Sequence, residues 1–109
     1  MDAKLLIERV LEDEGITSGL EECEATLMIK KLTDKVQEIA AGTNNASSAQ
    51  HRVDALCRTA RRVARIVESF RDSGESEARA KAQQYGLQWP HGNQDSESLL
   101  QGLLKLSIG

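Results

Sequence analysis

The sequence predicts an all-α fold: a small helical bundle built on a long antiparallel helical hairpin, with short N- and C-terminal helices packed on it. Three observations carry this reading. Phe70, Tyr85 and Trp89 are the only aromatic residues, so a core must be assembled from Leu, Ile, Val, Ala and Met, side chains that suit helix-on-helix packing. Pro90 is the single proline, which leaves the preceding chain free of the strongest helix breaker, while Gly15, Gly19, Gly42, Gly74 and Gly86 divide it into segments. Within those segments apolar residues recur every three or four positions. A chain of 109 residues has room for one hydrophobic core, so residues 1–109 read as one domain.

The first helix is expected from Asp2 to about Glu14, with Leu6 and Val10 one turn apart and Ile7 and Leu11 beside them; Gly15 ends it. Thr17 and Ser18 offer a hydroxyl cap to the second helix, and Glu21, Glu22 and Glu24 crowd its first turns, where acids interact well with the helix dipole. Leu20, Cys23, Leu27, Leu32, Val36 and Ile39 form its apolar stripe, which Met28, Ile29 and Ala40 widen, and it runs to about Ala41. The polar segment Gly42-Thr43-Asn44-Asn45-Ala46-Ser47-Ser48 predicts a loop, with Ser47 or Ser48 capping the next helix.

The third helix, about Ala49 to Asp72, has the clearest pattern: Val53, Leu56, Ala60, Val63, Val67 and Phe70 repeat throughout as a core seam. Together with the second helix across a short loop, it forms the predicted hairpin. Ser76 is expected to cap a short fourth helix through Gln84 that has almost no large apolar residue of its own. An irregular connection from Tyr85 to Asn93 leads to a last helix, capped by Asp95 or Ser96, with Leu99, Leu100, Leu103, Leu104 and Leu106.

The formal net charge of −3 conceals a division. Residues 1–50 carry ten acids and five bases, whereas residues 51–71 carry six arginines against Asp54 and Glu68. Such a division can hold helices together or present surfaces of opposite sign to partners. No apolar run approaches the roughly 18 residues of a membrane span, and Met1-Asp2-Ala3-Lys4 lacks signal-peptide character; the expectation is a cytoplasmic chain without membrane association. Cys23 and Cys57 are expected as reduced, buried thiols.

Chemistry-bearing patterns are sparse. A zinc site would need Cys23, Cys57, His51 and His91 to converge from distant positions, and no phosphate loop, serine elbow or histidine–carboxylate motif is present. No metal, no cofactor and no enzymatic activity are therefore expected. The expected function is a protein–protein interaction or self-assembly module, with a protein partner or a second copy as its ligand. Its candidate contact residues are Arg58, Arg61, Arg62 and Arg65, clustered on the third helix; Trp89, which can anchor an interface but more often covers one end of a small helical core; and Leu100, Leu103 and Leu104. The segment Leu100-Gln101-Gly102-Leu103-Leu104 resembles short leucine-rich recognition helices that lie in an apolar groove, although the same spacing also serves a helix that closes its own bundle. The alternative is a nucleic-acid-binding accessory protein, since an arginine stripe can track phosphates.

Overall fold

The computed structural model describes residues 2–92 and 95–109. These form α1 (Ala3–Leu11), a single 3₁₀ turn (Glu14–Ile16), α2 (Glu22–Ala41), α3 (Ala46–Ser73), α4 (Glu75–Tyr85) and α5 (Ser96–Ser107), with no strand among the described residues. The fold is the all-α bundle that the periodicity predicts.

The boundaries follow the capping chemistry, and several differ from the sequence expectation. Asp2 caps α1 by accepting the Lys4 N–H at 3.0 Å. The helix stops at Leu11, short of Glu14, because Asp13 turns to extended backbone and accepts the Gly15 N–H at 3.1 Å to start the 3₁₀ turn. The cap of α2 is Glu21 rather than Thr17 or Ser18, in a reciprocal box in which the Glu21 N–H donates to Glu24 Oε1 at 3.0 Å. Asn45 caps α3 by accepting the Ser48 N–H at 3.1 Å, which draws Ser47 and Ser48 into the helix and shortens the hairpin loop to residues 42–45. Gly74, at φ 94°, joins α3 directly to α4, and Ser76 lies inside the first turn of α4 instead of capping it. Asp95 caps α5 in a box with Ser98, as one of the two expected caps. Asn93, the last residue of the expected irregular connection, lies outside the described residues.

α3 is the spine. Its 28 residues, at about 1.5 Å each, match the 42 Å long dimension of the molecule. Val53, Leu56, Ala60, Val63 and Val67 of the expected seam are buried, and Phe70 is half-buried at its end. Arg71 at the far end of α3 pairs with Glu24 near the start of α2, so the two helices run antiparallel from their loop. Leu6, Val10 and Ile16 bring α1 and the 3₁₀ turn onto the hairpin, and Leu99, Leu100, Leu103 and Leu104 bring α5 onto it. α4 buries only Ala78 and Ala82, small side chains that let it lie close to α3. In α2 the stripe departs from the sequence reading at one point: Cys23 is exposed, and its neighbour Glu24 is buried instead, on the same helix as buried Met28, Leu32 and Val36.

Gly102 shows how tightly α5 is fitted. A Cβ there would lie 2.5 Å from Pro90 Cβ and 2.8 Å from Pro90 Cγ, and a proline ring has little freedom to withdraw. Gly102→Ala gains about 1 kcal/mol of helix propensity but overpacks a rigid contact at a cost of about 1–3 kcal/mol. The expected outcome is a net destabilisation of about 1 kcal/mol, measured by urea denaturation; a more stable variant would show that the Pro90 segment yields freely.

Candidate interaction surfaces

The arginines of this chain fall into two groups. Arg9 pairs with Asp54 at 3.4 Å, Arg79 with Glu75 at 3.2 Å, Arg61 with Asp13, and Arg71 with Glu24 and Glu21. Arg52, Arg58, Arg62 and Arg65 have no carboxylate partner among the described residues. Arg58, Arg62 and Arg65 are all exposed, at i, i+4 and i+7 along α3, and form one ridge about 10 Å long. The Arg62 guanidinium lies 5.7 Å from the Tyr85 ring centroid, so α4 lends an aromatic ring to the middle of that ridge.

Arg61 does not belong to it. One residue along a helix turns the side chain by about 100°, and Arg61 therefore points to Asp13, with its aliphatic stem against Gly15. It fastens the 3₁₀ turn to α3, a tertiary contact that its position beside Arg62 in the sequence conceals.

Leu100, Leu103 and Leu104 also differ from their expected role as contact residues. They are 0%, 0% and 4% exposed, because α5 turns its leucine face onto α2 and α3. The spacing of a recognition helix is here the spacing of a helix closing its own bundle. Trp89 is half-buried, its ring tilted 41° to Phe70 at 6.4 Å between centroids, with the Arg79 guanidinium 5.0 Å from its own centroid. It covers the end of the core where α3 meets α4.

A buried polar cluster escaped the sequence reading. Glu24, 1% exposed, accepts from the Glu21 N–H and pairs with Arg71 Nη2, while Arg71 Nη1 donates to the Gly19 carbonyl at 2.6 Å. Ser96, the first residue of α5, lies beside the same carboxylate. Burial pushes the Glu24 carboxyl up, but the Ser96 side chain, the Glu21 N–H and the Arg71 guanidinium together outweigh it and hold the group below its ordinary range. One carboxylate thus ties the ends of α2, α3 and α5 together. The available signal was its register, since Glu24, Met28 and Leu32 share one helical stripe.

Cys57 is buried elsewhere on α3, and burial pushes its thiol up against the opposing pull of nearby Arg9 and Arg61. Cys23 is exposed, contrary to the expectation of two buried thiols. Among the described residues no three His, Cys, Asp or Glu side chains are gathered as a metal site requires, and no helix is long and apolar enough to cross a membrane. Compared with protein-family models, curated proteins and solved structures, the chain matches none.

Proposed function

We propose that this chain is a non-enzymatic interaction module that docks an acidic segment of a partner protein on the α3 ridge of Arg58, Arg62 and Arg65. The observation that carries the reading is the division of the arginines: those used by the fold have carboxylate partners, and these three share one exposed face with none among the described residues. A planar guanidinium matches a carboxylate with two parallel hydrogen bonds, and a ridge of three gives a register that separate surface charges lack. Each exposed ion pair contributes only about 0–1 kcal/mol, so binding rests on the three acting together and weakens as salt rises.

A phosphate backbone is the alternative ligand for the same residues. The net charge of −3 disfavours it, because the rest of the chain repels a long polyanion. The Tyr85 ring adds no free stacking platform either, since Arg62 lies over it.

The chain isolated gently from its source cells is expected to carry an added protein mass by native mass spectrometry. Charge reversal at Arg58, Arg62 and Arg65 together should remove that mass and weaken the complex at least about tenfold. Retention of the partner by the reversed variant would refute the ridge as the docking face. A nuclease-sensitive mass in place of a protein would establish the nucleic-acid alternative.

A further inference from the structure

The outer face shared by α2 and α5 is charged in two blocks. The helices run parallel there: Ser96 at the start of α5 lies beside Glu24, and Gln101, Leu104 and Lys105 further along it line a groove with Leu27, Lys30, Lys31 and Asp34. Their first turns consequently gather Glu21, Glu22 and Glu97 around Cys23, Thr26 and Leu27. About 12 Å further along α2, Lys30, Lys31 and Lys105 surround a groove of about 500 Å³ lined by Leu27 and Leu104, with Asp34 and Gly109 also at its wall. Leu27 borders both regions and so lies between them. Among the described residues the carboxylates of Glu22 and Glu97 and the ammonium groups of Lys30, Lys31 and Lys105 have no ion-pair partner; Glu21 is already engaged by Arg71.

We infer that two copies of this chain meet across this face about a two-fold axis near Leu27, each placing Glu22 and Glu97 against the lysines of the other. A two-fold operation repeats every contact, so an acidic block at one end and a basic block at the other become complementary twice when α2 packs antiparallel to its copy. The opposite, parallel alignment sets acid on acid and lysine on lysine. An acidic peptide or an anionic amphiphile in the groove would use the lysines and leave the acidic block unmatched; a second copy satisfies both. Leu27, Thr26 and Leu104 form the less charged centre, where close packing supplies affinity, and the flanking charges set register and association rate. The face is separate from the arginine ridge on α3 and does not depend on it.

Two variants test this, both altering exposed or half-exposed side chains and leaving the Glu21 cap intact. Lys31→Glu with Lys105→Glu makes both ends acidic; Glu22→Lys with Glu97→Lys makes both ends basic. By analytical ultracentrifugation the wild type is expected at twice its 12.0 kDa mass. Each variant alone should self-associate at least about tenfold more weakly, through like-charge repulsion at both contacts. An equimolar mixture should form a heterodimer, because the acidic-ended chain complements the basic-ended one twice, and circular dichroism should show both variants folded. A wild type that stays monomeric at about 1 mM, or a dimer that persists unchanged in each variant alone, would overturn the inference. Charge reversal of Arg58, Arg62 and Arg65 should leave the dimer intact, which separates failure of this interface from failure of the arginine reading.

Discussion

Replacing Arg71 with methionine is expected to destabilise the fold by about 3 kcal/mol, because it leaves the Glu24 carboxylate buried without its counter-charge. The lower end of the range for a broken buried pair is appropriate, since the Arg71 side chain is itself 26% exposed and solvent already screens part of the attraction. For a chain of this size the loss corresponds to roughly 13 °C in Tm. Its pH dependence identifies the cause. In the wild type the folded-state pKa of Glu24 lies below its ordinary value of 4.5, so its contribution is present above that value and is lost as pH falls through the lower, folded-state one. In Arg71→Met burial is opposed by fewer groups, and acid relieves the uncompensated charge. The gap in stability between variant and wild type should therefore be widest at neutral pH and narrower near about pH 4. Urea denaturation at both pH values measures it; an equal gap would assign the loss to packing of the arginine stem. Glu24→Gln should cost less, since it still accepts from the Glu21 N–H and leaves Arg71 with Glu21 and the Gly19 carbonyl.

Leu103→Ala is expected to cost about 3 kcal/mol, within the range for deleting a fully buried leucine side chain from a packed core. Polar residues at both Leu103 and Leu104 should abolish cooperative unfolding altogether. The measurement again is denaturant unfolding of the isolated chain. If these leucines instead served a partner, truncation would change the stability of the free chain by no more than about 0.5 kcal/mol and its cost would appear only in binding.

That contrast marks where the sequence was legible. The α3 seam could be read directly, because a run of aliphatic side chains at helical spacing has one physical use, to be covered. Periodicity identifies an apolar face but not which molecule covers it, so Leu100, Leu103 and Leu104 fit a contact helix as well as the more common reading, a helix that closes its own bundle. The hairpin followed from helix lengths and a short polar loop, whereas the caps moved. Thr17, Ser18, Ser47, Ser48 and Ser76 all have capping chemistry, and the choice fell to Glu21, Asn45 and Gly74 through local geometry that residue type does not encode. Arg61 and Arg62 are neighbours of the same type; only the approach of Asp13 and Gly15 separates a structural arginine from an exposed one. Glu24 was one acid among many in its half of the chain, and the partner that explains its burial lies 47 positions away.

Trp89 is the chain's single tryptophan and rests between Phe70 and Arg79 where α3 meets α4. Its indole is a natural optical reporter placed at one corner of the molecule. Intrinsic fluorescence therefore follows the joint around Gly74, while far-ultraviolet dichroism, dominated by α2 and α3, follows the spine. Coincidence of the two melting curves is then a direct criterion for whether α4, whose buried side chains are Ala78 and Ala82, unfolds with the bundle or as a separate cooperative unit.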